Sequence, residues 1–486
     1  MKKAAFYLGV IIVLFFSGCK KEEAPFVFDS NMAEYERINQ FIVEGVQTYY
    51  LWEAETNWEE YDNRETFASF TDSRNLFKRL IYKDDYWSTL TSDIGGMESQ
   101  FEGVSTTFGY TLRFYKLSSQ GNTVIAVVLF TSSNSPAAKA DLKRGDIIIE
   151  MNGGDITTDN YLDLYYQPSL RIRRGELVDE LIDGKEVKVI RPLQGIISIT
   201  ALEMYENPIN TYKIIEKEGR KIGYLCYTGY QRESESELIE LFSQFKSNGV
   251  QDVVLDLRYN LGGFSRTAQL LSSILAPESA VKSKSVYLEH HYNAMLTAYY
   301  KENKYELSEN FVDTLPVNMN LNRLYVLTGE NTASASEATM VGLEPYLDLI
   351  QIGETTSGKY CGRILLSPED LYGEKNRDFY ESFSNWGMYI MIYRFANIKG
   401  ITSFTGGLAP NIQAEEDDFD LRPFGDEDDP LLGRALAHIA GIPYIERRAA
   451  KVSVPFIALP DPKKPVDGKM IVTEPLLKIK PPSVFR

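Results

Sequence analysis

The spacing of apolar positions changes several times along this 486-residue chain, and each change marks a region. From Asn31 to about Ser92 helical spacing dominates. In AEYERINQFIVEGVQTYYLW, Ile38, Ile42, Val43 and Val46 share one face, which predicts an amphipathic helix within a small helical unit over 31–97. From about Gly95 short strands rich in β-branched residues take over: TLRFYKL, NTVIAVVLF, DIIIEMNG and KEVKVIRPL. Residues 98–195 therefore read as a β-rich module. Strand and helix patterns then alternate, through IGYLCYTGY, SELIELFSQFKSNG and VQDVVLDLRYNLGG. This order predicts an α/β layered unit over 196–445. Residues 446–486 are proline-rich and read as an extended tail without its own core.

The N-terminus interrupts this scheme. MKKAAFYLGVIIVLFFSGC joins two lysines to an apolar run from Ala4 to Phe16 and then to small residues before Cys19. The run is short for a membrane span and has the form of a signal peptide over 1–18. A cysteine after Ser17-Gly18 resembles the bacterial lipoprotein signal, so Cys19 is the expected lipidation site and 19–30 a linker. The expected location is the bacterial cell envelope, with a lipid anchor in the membrane, on the periplasmic or the outer surface.

Composition narrows the partners. A formal charge of −17 argues against nucleic acid, whose phosphates need a basic surface. Much acidity sits in AEEDDFDLRPFGDEDDP, Ala414 to Pro430, which reads as a solvated surface segment. After Cys19 only Cys226 and Cys361 remain, too few for a disulfide framework or a zinc cluster. His290 and His291 are adjacent and point apart in helix or strand, so no shared metal is expected, and His438 stands alone.

Two stretches carry candidate chemistry. NRLYVL reads as a strand, TGENTA as a turn and SASEATMVGLEPYL as a helix, which puts Ser334 at a helix N-terminus. With Glu337 it fits the S-x-x-E capping box, so the residues alone read as a cap, with an exposed hydroxyl beside the helix dipole as the other reading. A serine nucleophile needs a base, and no histidine has a triad context. Lys359, in LIQIGETTSGKYCG, ends an apolar strand at a glycine-flanked turn, and burial there would lower its pKa from about 10.4. An ordinary exposed lysine is the other reading.

The segments TASASE, IQIGETT, GK and DVVLDLRYNLGG resemble, in order, the nucleophile, base and glycine-loop segments of the carboxy-terminal processing peptidases, or tail-specific proteases. The resemblance implies an α/β catalytic core with crotonase-like layering, Ser334 as nucleophile and Lys359 as general base. It further implies an oxyanion hole from the N–H groups of Gly262 or Gly263 and Ala335, with Ser336 structural and no metal or organic cofactor. SPAAKADLKRGDIIIEMNG resembles the PDZ signature, which implies a peptide groove whose terminal loop is TTFGYTL, with Phe108, Gly109, Tyr110 and Thr111. The implied substrates are protein or peptide chains, cut near C-termini or in unfolded segments. Two positions depart from the family pattern. Arg363 stands where a glutamine often orients the lysine, and Leu261 precedes the two glycines. Arg363 leaves open a catalytically silent PDZ-containing, peptide-binding lipoprotein. The 31 tyrosines and the lipid signal leave open a glycan-binding one.

Overall fold

The computed structural model describes residues 31–445 except 62–63 and 183–184, together with 456–460, 462, 470 and 471. The signal-peptide reading and Cys19 lie outside the described residues. Among the described residues no helix is long and apolar enough to cross a membrane.

A six-stranded sheet organises the second half of the chain, in the spatial order Ile209–Lys217, Arg220–Tyr227, Asp252–Asp256, Arg323–Thr328, Asp348–Gly353, Ile412–Gln413. The first pair is antiparallel and every later pair parallel. Its third strand, DVVLD, is buried at all five positions, because a parallel sheet is covered on both faces. Val253 and Leu255 enter one core with Leu238, Phe242, Ala268 and Ala335 of three helices. Val254 points the other way, into a core with Leu431, Leu432 and Leu436 of the helix Pro430–Ala440. This helix–sheet–helix layering holds the strand ends, and the turns that follow them, in fixed positions.

A second, mixed sheet packs beside it, built around Gly387–Ala396, with Cys361–Leu366 and Val286–Tyr292 on its two sides. Thr89–Thr91 pairs antiparallel with Gly387–Tyr389 of the same strand. The N-terminal helix Glu34–Tyr49 buries Ile38, Ile42, Val43 and Val46 as the spacing predicts, but against the body of the molecule. It shares one core with Leu366, Met388 and Ile390, so the helical region is an outer layer of the α/β unit.

The β-rich region supplies seven strands of an eight-stranded sheet, the eighth being Ile457–Ala458, and has its own core of Phe114, Val124, Ala126, Val128, Ile148 and Ile172. Pairing of Ser169–Ile172 with Ile197–Thr200 carries it past residue 195. Ser135 caps the one-turn helix Pro136–Lys139 by accepting from the Ala138 N–H at 3.1 Å, with proline at the first turn.

The acidic segment 414–430 departs from the solvated reading. Glu416 and the buried Asp429 accept from the Arg258 guanidinium at 2.6 and 2.8 Å, and Glu416 also pairs with Arg144 of the β-rich region. Tyr259 donates its hydroxyl to Glu416 at 2.6 Å. Buried arginines need carboxylates, and this segment supplies them. Part of the acid run therefore fastens the β-rich sheet to the core.

Candidate active site

Four turns meet at the C-terminal ends of the parallel strands, the usual position for ligand sites in such sheets. The turn after Arg323–Thr328 ends at Ser334, which takes φ 61 and ψ −111 before the helix Ala335–Leu343. A positive φ is costly for a residue with a Cβ, and such strain clusters where a side chain must be held in one direction. Thr332 helps hold the turn by donating its hydroxyl to the Leu257 carbonyl at 2.8 Å.

The structure separates the two readings of Ser334. Half of the capping box forms, with Glu337 Oε2 accepting from the Ser334 N–H at 2.8 Å. The hydroxyl does not cap: Ser334 Oγ is fully buried and has no hydrogen-bond partner among the described residues. The same holds for Lys359 Nζ, and no hydrogen bond joins the two atoms. Burial first, and then the Arg363 charge, drive the Lys359 pKa well below its ordinary value, against weaker opposing effects of Cys361, Asp85 and Glu337. These surroundings disfavour the charged form of the amine.

Glu337 connects the two segments. Its Oε2 accepts from both the Ser334 N–H at 2.8 Å and the Lys359 N–H at 2.9 Å. Oε1 accepts from the Gly358 N–H at 2.7 Å and the Thr356 hydroxyl at 2.6 Å. Desolvation raises the Glu337 pKa, and these four donors oppose the rise. Gly358 is required at its position, where a Cβ would lie 2.6 Å from the Thr405 carbonyl at a φ of +84.

The glycine loop is tied to the nucleophile turn through Asn260. The Asn260 carbonyl accepts from the Ala333 N–H and the Ser336 hydroxyl, each at 3.0 Å. Its side chain donates to the Tyr227 carbonyl at 2.9 Å and accepts from the Gly262 N–H at 2.8 Å. The Gly262 N–H is thus engaged by the Asn260 side chain. Ala335 begins a helix, where N–H groups lack intrahelical partners. Gly263 sits at φ 147, and a Cβ there would lie 2.1 Å from the Tyr230 carbonyl.

Arg363 is buried, donates to the Trp87 carbonyl at 2.5 Å, and has its guanidinium carbon 3.8 Å from the centre of the Tyr389 ring. Its partner Trp87 comes from the N-terminal region. Asp85 there accepts from the Tyr50 and Ser88 hydroxyls at 2.8 and 2.5 Å and from the Trp87 and Ser88 N–H groups. Sequence reasoning missed Asp85, Trp87 and Asn260, and it saw in Glu337 only a cap.

A cavity of ≈ 590 Å³ joins the β-rich region to this corner. Phe108, Tyr110 and Thr111 line one end and Gly262 and Gly263 the other, with Tyr165, Tyr230 and Gln231 between. In the loop before Tyr110 the Gly109 N–H already donates to the Thr107 hydroxyl at 2.9 Å. A second recess of ≈ 650 Å³ lies elsewhere, between Lys213, Lys217 and residues 425–428, and touches none of the candidate residues. Among the described residues no cluster of three or more His, Cys, Asp or Glu could hold a metal. His290 stacks on Tyr393 at 4.0 Å, and burial lowers its pKa to about 3.

The chain is similar to known proteins along most of this architecture. The profile of Peptidase family S41 matches residues 221–414, and that of the Peptidase S41 N-terminal domain matches 37–89. The carboxy-terminal processing protease CtpA of Bacillus subtilis is 24% identical over 295 residues, covering 60% of this chain and 54% of the relative. A carboxyl-terminal-processing protease of Picosynechococcus is 25% identical over 232 residues, covering 48% and 50%. The chain spans about half the length of these curated relatives. Among solved structures, a putative S41 protease of Bacteroides fragilis aligns with TM-score 0.66 at 23% identity, covering 86% of this chain and 99% of that one. The photosystem II D1 C-terminal processing protease aligns with TM-score 0.50 at 16% identity, covering 85% and 100%. These structures share a mixed α/β multidomain fold with this chain. A profile match that starts at the second core strand and ends past the lysine turn, preceded by a match to the family's own N-terminal domain, identifies the chain: it belongs to peptidase family S41, the C-terminal processing proteases.

Proposed function

We propose that this chain is a serine endopeptidase in which Ser334 attacks the scissile carbonyl and Lys359 takes its proton. The observation that carries the reading is the pairing of two fully buried, unpartnered groups, a hydroxyl and an amine, on backbone held by one carboxylate. A buried polar group left without a partner costs about 1–3 kcal/mol, a cost that bound substrate would offset at both groups.

Neutral Lys359 accepts the hydroxyl proton as the Ser334 oxygen bonds to the carbonyl carbon. The negative charge that develops on the carbonyl oxygen meets the N–H groups of Gly263 and Ala335 at a helix N-terminus. The protonated lysine then gives its proton to the leaving amine, and water attacks the acyl-enzyme by the same base to release the second product. Arg363 acts in place of the family's orienting glutamine: its fixed charge disfavours a second cation at Lys359. The scheme uses this chain's own groups. The β-rich region is a PDZ-like module whose edge strand receives extended protein substrates, and Cys19 anchors the enzyme by a lipid in the cell envelope.

Incubation of the purified chain with a dye-labelled unfolded protein tests the reading. Cleavage is expected from wild type and none from Ser334→Ala. A serine-directed acylating probe should modify Ser334 alone. Equal cleavage by both proteins, or labelling elsewhere, would contradict the mechanism.

A further inference from the structure

We infer that the chain's own C-terminal tail lies along the path of the substrate and competes with it. The inference rests on the reading of the cleft as a peptidase site. Three contacts carry it, and they follow one another along the tail.

Ile457 and Ala458 pair antiparallel with Lys116 and Tyr115 on the open edge of Tyr110–Lys116, and the Leu459 N–H donates to the Phe114 carbonyl at 2.8 Å. This is β-augmentation, with the added strand running toward the Phe108–Thr111 loop. Phe456 anchors its start by an edge contact on Phe419 at 4.9 Å, and Leu459 packs on the core of the β-rich region. Pro462, next in line, is buried and lines the cavity that leads from Phe108 to Gly262 and Gly263.

The tail reappears at the reacting corner. Met470 and Ile471 pair parallel with Gly263 and Phe264, and Ile471 also pairs with Arg363. Two tail residues thus fill the gap between the glycine loop and the strand that leaves Lys359, completing the order Gly263–Phe264, Met470–Ile471, Cys361–Leu366 in the sheet. A substrate strand would need the same gap.

The direction is informative. A bound chain runs N to C from the edge strand, through the cavity, to the glycine loop. The segment on the edge strand is therefore internal and not a chain end, in keeping with the Gly109 N–H being occupied by Thr107. Charge favours the arrangement, since residues 446–486 hold nine Lys and Arg against four Asp and Glu in a chain of net charge −17. Tethering adds an effective concentration on the order of millimolar, enough for weak strand contacts to compete.

The test uses the full chain with single prolines placed in the tail. Leu459→Pro removes the N–H that donates to Phe114, and Ile471→Pro disturbs the pairing at the glycine loop. Each is expected to raise kcat/KM on a dye-labelled unfolded protein about threefold or more, through a lower KM. A fluorescein-labelled peptide of residues 456–474 should bind Leu459→Pro at least about threefold more tightly than wild type, read by anisotropy, and should inhibit competitively. Unchanged KM in both variants, with equal peptide binding to wild type and variant, would overturn the inference. Because anisotropy needs no catalysis, tighter peptide binding to the variant alongside absent cleavage upholds the tail contact and removes the peptidase reading instead.

Discussion

Arg258 and Lys359 are both cationic side chains shut away from water, and their surroundings treat them in opposite ways. Arg258 donates to Asp256, Glu416 and Asp429, and its pKa is held well above the ordinary value by the three carboxylates, against its desolvation. Lys359 has no partner at its amine among the described residues and a pKa driven well down. A buried charge with its counter-charges fastens elements together, whereas a buried amine without them is pushed toward its neutral form.

The contrast predicts which substitutions stop chemistry and which unfold the chain. Ser334→Ala should lower kcat by at least about 10⁴-fold without loss of the folded state, measured by cleavage and thermal unfolding. Lys359→Met should be as inactive yet melt a few degrees higher. The folded lysine excludes a proton that the unfolded chain binds, so at neutral pH it lowers stability, and the loss is recovered only as pH rises toward the unfolded pKa. A Lys359→Met chain that melts lower than wild type at pH 7 would break the comparison.

Arg258→Met should do the reverse. Asp256 and Asp429 would stay buried without their cation, while Glu416 keeps Arg144, so unfolding by denaturant should show a loss of about 3–5 kcal/mol. Glu337→Gln tests the link between the classes, because its amide nitrogen cannot accept the N–H groups that one carboxylate oxygen receives. A fall in kcat of about 10²-fold is expected, with KM changed less. The smallest effect sharpens the comparison most. Activity should fall on acidification as Lys359 gains its proton, and Arg363→Gln removes a cation that lowers the lysine pKa. The acid limb of the pH profile should then move to higher pH by about one unit or less. A limb that stays in place would assign it to another group.

Local signals made much of the fold readable. DVVLD announces a buried parallel strand because both its neighbours and both its faces are apolar, and S-x-x-E announces a helix start because its partners are three residues apart. Long-range pairing hid the rest. The acid run read as solvated because its partners Arg258 and Arg144 lie 158 and 272 residues from Glu416. Glu337 looked like a cap because its other donors come from residues 356–359, across a strand. No motif marks Asp85 or Trp87, whose place near the lysine depends on the strand Thr89–Thr91 joining a sheet formed some 300 residues later.

On the proposed mechanism, the one carboxylate oxygen that accepts from the Ser334 and Lys359 N–H groups would also govern when the chain first becomes reactive. While the chain is still folding, the lysine is in water and protonated, at a pKa of about 10.4, and the serine has no base. Reactivity would then arrive only when the 334 and 359 turns close on Glu337 inside a finished core. A partly folded copy would on that mechanism be harmless to its siblings, and the fold would serve as its own safety catch during synthesis.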